Sequence, residues 1–114
     1  VIYLPIVFKD YVPSVLITCG ATIHDYPDVQ NNWYRFDLDA SKTVTVQLQE
    51  YFADCQLLLY KDAPTGERIG HAGNPGPTKT IGPQALAPGA YYVRVFTTAN
   101  LNRNQPYALT LNCQ

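Results

Sequence analysis

Charge is scarce in this sequence of 114 residues, of which only 15% are Asp, Glu, Lys or Arg. Soluble domains usually contain about 25% of these residues. Eight basic residues nearly balance nine acidic ones, so the net charge is -1, and the basic surface of a nucleic-acid-binding protein is excluded. Low charge also means little repulsion between copies of the chain, which favours association.

Long apolar runs are missing as well. The longest such run, Val1–Phe8, is far shorter than the roughly 20 residues of a membrane-spanning helix, so no span is predicted. No basic segment precedes an apolar stretch, so no signal peptide is predicted, and we expect either a mature product or a fragment of a protein. The sequence has no Asn-x-Ser/Thr acceptor, which argues against N-glycosylation.

Residues for catalysis are few. Ser14 and Ser41 are the two serines and neither lies in a GxSxG motif; His24 and His71 are the two histidines. A nucleophilic pair of His71 with a cysteine is one hypothesis, and a solvent-exposed or turn histidine is the favoured alternative. No glycine-rich phosphate loop precedes a helix, and the sequence therefore predicts a protein that is not an enzyme.

Three cysteines, Cys19, Cys55 and Cys113, lack the CxxC or Cys/His spacing of a zinc site. Cys19 and Cys113 each end a strand-like alternation on its apolar parity, so we predict a disulfide between them in an oxidising compartment. Cys55 would then stay a thiol or form a bridge between two chains. Three buried, reduced cysteines are the alternative, because cysteine packs well as a small apolar residue.

Alternation of apolar and polar residues with a period of two dominates the chain, and no window shows a convincing helical pattern. Turn sequences rich in Pro, Gly, Asp and Asn separate the alternating segments. These features predict an all-β fold, a two-sheet antiparallel β-sandwich of the jelly-roll type. The predicted strands are Val15–Ile23, Trp33–Leu38, Thr43–Tyr51, Gln56–Tyr60, Arg68–His71, Thr78–Ile81, Ala90–Thr97 and Pro106–Asn112.

The alternation also assigns strand faces. Apolar residues share one parity in Tyr34–Leu38 and in Val44–Leu48, so one side of each strand packs in the core. Tyr91–Val95 and Tyr107–Leu111 repeat this pattern, and we expect these two C-terminal strands to form the facing sheet.

The first eight residues break the alternation, because apolar side chains occur on both parities. An outer strand of a small sandwich cannot bury both faces within its own chain. Residues 1–14 are therefore predicted to form an apolar strand and connector outside the sandwich of residues 15–114. One hypothesis is that this strand is donated to a neighbouring subunit by edge pairing. A strand folded onto its own sheet, or a remnant of a link to another domain, is the alternative. The residues of the predicted subunit interface are Val1, Ile2, Tyr3, Leu4, Ile6, Val7 and Phe8.

Aromatic residues make up 12% of the chain. Tyr92 and Phe96 lie on the parity opposite the apolar residues of their strand, with Arg94 between them. Tyr and Arg are common contact residues, so these three define a candidate ligand face for collagen, a glycan or another copy of the chain. An ordinary half-covered outer face is the alternative.

Four segments in order resemble the bacterial pre-peptidase C-terminal domain, the β-sandwich family that includes the collagen-binding domains of clostridial collagenases. They are Asn32–Leu38, Ala53–Tyr60, Pro88–Val95 and Pro106–Leu111. The resemblance implies an extracellular sandwich without catalysis, appended to secreted enzymes or displayed on cell surfaces. Calcium-binding members carry an acidic segment before the first strand, whereas residues 9–14 here contain the single carboxylate of Asp10. Asp25 and Asp28 are weak calcium candidates, because Ca²⁺ takes six to eight oxygen ligands; we expect no metal or other cofactor.

These observations lead to two functional hypotheses. The first is a secreted bacterial structural protein, the subunit of a homopolymeric filament or surface layer built by donation of Val1–Phe8, since a head-to-tail contact propagates. The second is an accessory module of a secreted peptidase or other hydrolase that binds collagen, another protein or a glycan. Neither involves nucleic acid or a membrane span.

Overall fold

The computed structural model describes residues 14–26, 32–50, 55–97 and 105–114. Strands account for the regular structure of these residues, as the alternation predicted, and the all-β fold is confirmed. The nine strands are β1 (Val15–Leu16), β2 (Thr22–Asp25), β3 (Asn32–Leu38), β4 (Lys42–Gln49), β5 (Cys55–Lys61), β6 (Glu67–Ala72), β7 (Thr78–Leu86), β8 (Gly89–Thr97) and β9 (Tyr107–Cys113).

Two sheets form the sandwich. The five-stranded sheet has the order β1-β3-β8-β5-β6, and the four-stranded sheet has the order β2-β9-β4-β7. Every pairing except the parallel pair β1–β3 is antiparallel. The expectation that β8 and β9 together face β3 and β4 is wrong, because β3 pairs with β8 and β4 pairs with β9. Alternation identifies the buried side of a strand but not the strand that lies beside it. The predicted and the observed pairings would therefore bury the same residues.

The core lies between the sheets and consists of the predicted apolar parities. Tyr34 and Phe36 of β3, like Val93 and Val95 of β8, are at most 1% exposed. The rings of Phe36 and Tyr91, which face each other across β3 and β8, stack with centroids 5.3 Å apart. The neighbouring strands β3 and β8 thus stabilise the core both by burying apolar area and through an aromatic pair.

The predicted strand Val15–Ile23 is two strands in different sheets. β1 pairs with β3, and β2 pairs with β9, so the chain crosses from one sheet to the other through residues 17–21. Ile17 is buried at the crossing and Gly20 has a φ of 90°, a conformation that glycine adopts at little cost. A strand that changes sheets keeps its alternation, which is why the sequence pattern did not show the break.

The disulfide between Cys19 and Cys113 is confirmed. Their Cα atoms lie 5.5 Å apart and the bridge closes a separation of 94 residues. The backbone N–H of Gly20 donates to the carbonyl of Leu111 at 2.7 Å beside the bridge. The sheet crossing is therefore fastened to the last strand of the chain.

Strand β7 is longer than predicted and continues through Gly82 and Pro83 to Leu86. The sequence prediction ended this strand at Ile81, before Pro83, which lacks a backbone donor. The strand tolerates it because β7 is an edge strand, whose pairing with β4 shifts register between Val44 and Val46. Gly82, at φ 102°, is required there, since a Cβ atom would collide with the carbonyl oxygen of Val44.

Candidate functional site: the outer face of the five-stranded sheet

The outer side of the five-stranded sheet carries a continuous set of aromatic and arginine side chains. These residues alternate with the buried positions of β3, β5, β6 and β8, and all are partly or fully exposed. We call them the aromatic–arginine face: Trp33, Arg35, Tyr60, Arg68, Tyr92, Arg94 and Phe96.

Strand register arranges this face in rows across the sheet. One row runs from Arg35 on β3 through Tyr92 and Tyr60 to Arg68 on β6. The row beside it begins with Trp33 and Arg94 and continues through Leu58 to His71. Two arginines therefore flank two tyrosines in the first row, and along β8 Arg94 lies between the rings of Tyr92 and Phe96.

The aromatic rings and arginines of the face also contact one another. The guanidinium carbon of Arg94 lies 4.2 Å from the ring centroid of Phe96 and 5.9 Å from that of Trp33. The rings of Trp33 and Tyr60 are 5.6 Å apart at an angle of 42°. Cation–π and tilted aromatic contacts of this kind each contribute about 0.5 to 1.5 kcal/mol, so the side chains hold their positions mutually.

Arg35 contributes a cation at the β3 side of the face. Its Nε donates to Oδ1 of Asp37 at 2.9 Å, and its guanidinium lies 5.8 Å from the ring centroid of Tyr92. The hydrogen bond to Asp37, and then the field of Tyr92, raise the pKa of Arg35. The ion pair is solvent-exposed, with 43% and 50% of the two side chains accessible, and exposed pairs of this type contribute little to stability.

Leu58 shows how densely the face is packed. It points away from the core, beside Arg94 and His71, yet it is only 5% exposed and does not belong to the core cluster. Side chains of the outer face must therefore cover it. A covered apolar floor limits the rotamers of the surrounding groups, and a binding surface with fixed side chains loses less entropy when a ligand binds.

The predicted ligand residues Tyr92, Arg94 and Phe96 lie together on this face, and their role in binding stays a prediction. Sequence reasoning missed Trp33 and Tyr60, which lie on the two strands flanking β8. Their outward parity was visible in the sequence. What was missing was the strand order that brings β3 and β5 to either side of β8.

The weak calcium candidate Asp25 has a structural role. Its Oδ1 accepts the backbone N–H of Tyr26 at 2.8 Å, and its Oδ2 accepts the hydroxyl of Tyr34 at 2.9 Å. Asp28 lies outside the described residues. Among the residues that are described, no group of three or more His, Cys, Asp or Glu side chains could hold a metal ion.

A chain of hydrogen bonds leads from Asp25 into the sandwich. The Tyr34 hydroxyl uses its proton on Asp25, so the Tyr107 hydroxyl, 2.6 Å away, donates to Tyr34 and in turn accepts from Nδ2 of Asn32 at 2.7 Å. Burial, the largest cause, raises the pKa of both phenols above the usual value. Both hydroxyls are therefore neutral links between β2, β3 and β9.

A buried ion pair lies at the end of β4. Nζ of Lys79 is 2.7 Å from Oε2 of Glu50 and also donates to the carbonyl of Gly76 at 2.6 Å. The two side chains are 1% and 3% exposed. Oε1 of Glu50 accepts the backbone N–H of Cys55 at 3.0 Å, so both charges are hydrogen-bonded as burial requires.

The Cys55 thiol is outside the disulfide and 1% exposed. A sulfur at this depth is inaccessible to a second chain. For Cys55 the structure therefore supports a buried thiol and not a bridge between two chains. The suggested pair with His71 is not formed, because Cys55 faces the core whereas His71 is on the outer side, with Nε2 2.7 Å from Oε1 of Gln56. The described strands and turns place neither serine beside a histidine.

No helix in the described segments is long and apolar enough to span a membrane. The predicted subunit interface, Val1–Phe8, lies outside the described residues. The described chain that follows it begins with the edge strand β1, where Val15 and Leu16 are 56% and 65% exposed.

The chain is thus a two-sheet β-sandwich with an aromatic and cationic surface on one sheet. Its fold is that of the pre-peptidase C-terminal domain, as the sequence resemblance implied. The domain of this name from a Bacillus anthracis collagenase is similar with a TM-score of 0.74 and 16% identity, over 88% of this chain and 95% of that one.

Two further solved structures share the sandwich. A putative secreted protein from Eubacterium rectale matches with a TM-score of 0.55 and 12% identity, over 87% of this chain and 38% of that chain. PliG of Aeromonas hydrophila, a periplasmic inhibitor of g-type lysozyme, matches with a TM-score of 0.51 and 15% identity over 90% and 100%. No protein-family model and no curated protein sequence matches this chain. At these identities the likeness concerns the fold alone.

Proposed function

We propose that this protein is a non-catalytic, extracellular binding module whose aromatic–arginine face recognises a glycan or a protein. The observation that carries the proposal is the ordered, partly exposed set of Trp33, Tyr60, Tyr92 and Phe96 around Arg94 on one sheet. Aromatic residues and arginine dominate the binding energy of protein surfaces.

Two further observations support this role. The Cys19–Cys113 disulfide is typical of proteins in oxidising compartments. Similar folds occur in the collagenase domain and in the lysozyme inhibitor, which suggests an accessory module of a secreted hydrolase or an independent binding protein.

The test is binding to a panel of immobilised collagen, neutral polysaccharide and acidic polysaccharide. Trp33→Ala should weaken binding by about 30-fold or more, the effect of losing a central aromatic contact. Trp33 is the only tryptophan, so its fluorescence also reports ligand at this face. Gln47→Ala, an exposed change on the other sheet, is the matched control. Binding that survives Trp33→Ala, or no binding to any member of the panel, would refute the proposal.

The second candidate is a filament subunit that donates Val1–Phe8 to a neighbour. It rests on the apolar composition of that segment, and the exposed edge at Val15 and Leu16 favours it. Sizing and negative-stain microscopy with and without residues 1–8 test it. Assemblies that disappear on truncation would support the donated strand, whereas monomers in both forms would eliminate it.

A further inference from the structure

We infer that the ligand of the aromatic–arginine face is an acidic polysaccharide whose sugar rings carry carboxylates, a polyuronate. The inference rests on the proposed function and assigns it a ligand class. The observation behind it is the distribution of charge over the two sheets.

All three arginines of the described chain, Arg35, Arg68 and Arg94, lie on this one face. The acid that shares the face on these strands is Asp37, which is paired with Arg35. The face therefore has a local charge of about +2 on a chain whose net charge is -1. Such an excess attracts an anionic partner against the overall charge of the protein.

The spacing of these cations suits an extended ligand. Arg35 and Arg68 end the same row and are separated by three strand spacings, about 14 Å at roughly 4.8 Å for each. Tyr92 and Tyr60 lie between them. A chain of sugars crossing the strands would place ring faces on the tyrosines and anionic groups near the arginines at both ends.

Arginine with aromatic rings distinguishes a polyuronate from a simple polyanion. The apolar C–H faces of pyranose rings can pack on aromatic side chains, which have large apolar area and few rotamers. The guanidinium group matches a planar carboxylate with two parallel hydrogen bonds. Arg35 already binds a carboxylate of this face through one hydrogen bond, from its Nε to Oδ1 of Asp37 at 2.9 Å.

Arg68 is the most direct position for a test. It is exposed at the edge strand β6 and forms no ion pair with any residue that the structure describes. Its replacement by glutamine keeps a long polar side chain and should leave the fold intact. Lys42→Gln removes the same unit of charge from the four-stranded sheet and is the matched control.

The experiment titrates the whole chain with polygalacturonate and measures the affinity from Trp33 fluorescence and calorimetry. We expect Arg68→Gln to weaken binding about tenfold, Arg68→Gln with Arg94→Gln more strongly, and Lys42→Gln by less than twofold. Raising the salt from about 0.05 M to about 0.5 M should also weaken binding, because exposed charges are screened.

Other ligands in the same assay separate the inference from the proposed function. Binding of a neutral glucan or of collagen that requires Trp33 but not the arginines would overturn the polyuronate and leave the binding module standing. Equal affinity for dextran sulfate would show that charge density, not a carboxylated sugar, is recognised, and would overturn it too. Failure of every ligand would refute both.

Discussion

The two outer faces of this sandwich are both built from β-strands but differ in chemistry. The five-stranded sheet presents the aromatic–arginine face. The four-stranded sheet presents hydroxyls and amides, and none of its described outward positions holds Lys, Arg, Asp or Glu. We call the second surface the threonine–glutamine face: Thr22, Thr43, Thr45, Gln47, Gln49, Thr78, Thr80, Thr110 and Asn112.

Side chains of the threonine–glutamine face form hydrogen bonds with one another. The hydroxyls of Thr22 and Thr110 are 3.0 Å apart, and that of Thr78 donates to Gln49 at 3.0 Å. Threonine favours strands and is well hydrated, so this surface needs no ligand to explain it. The rings and arginines of the five-stranded sheet contact one another, and the two outer faces therefore differ in both charge and aromatic content.

Loss of the disulfide should have the largest effect, because the bridge fastens the crossing that links the two sheets. Replacing Cys19 and Cys113 with serine should lower the free energy of unfolding by about 4 to 5 kcal/mol in the chain-entropy model. Denaturant titration of both forms measures this. If the two faces are independent, the folded fraction of this double variant should bind ligand with the affinity of the original protein. A loss of affinity in the folded fraction would show that the two faces are coupled.

Lys79→Met should cost about 3 to 5 kcal/mol, because the carboxylate of Glu50 would be left in the interior without its ammonium partner. Addition of Glu50→Gln should recover part of this loss, since the uncompensated charge is then removed. Lys42→Met is the control, since Lys42 is the first residue of β4 in the same sheet. It should change the free energy of unfolding by less than about 0.5 kcal/mol. Equal effects of the two lysine changes would contradict the assignment of a buried pair.

Tyr34→Phe should lower the free energy of unfolding by about 1 to 3 kcal/mol, because it removes one of the two hydroxyls that link Asn32 to Asp25. The native fold holds the pKa of Tyr34 and Tyr107 above the value of about 10 that applies in the unfolded chain. Their contribution is therefore complete below about pH 10 and is lost as the pH rises above it. The variant should lose stability less steeply over that range, and parallel alkaline unfolding curves would argue against this account.

Much of the interior was predictable, because alternation fixes which side of a strand is buried. Cys19 and Cys113 could be paired because each ends such an alternation. Strand order was not predictable: the same parities fit β3 beside β4 or β3 beside β8. The candidate site depends on that order, since Trp33 and Tyr60 join Arg94 only when β3 and β5 flank β8. The period-two alternation was therefore sufficient to predict the core residues, but it predicted only part of the aromatic–arginine face.

The smallest effect should come from adding charge to the threonine–glutamine face. Gln47 and Thr80 are exposed partners on β4 and β7, and replacing both with lysine should change the free energy of unfolding by about 0.5 kcal/mol or less each. The variant gains two positive charges, which equals the local charge of about +2 on the aromatic–arginine face. It gains no aromatic rings. If the arrangement of rings and arginines decides recognition, its affinity for polygalacturonate should rise less than threefold in low salt. A larger rise in affinity that persists after Trp33→Ala would show that cations on a sheet surface are sufficient for binding. The two faces would then differ functionally in charge alone.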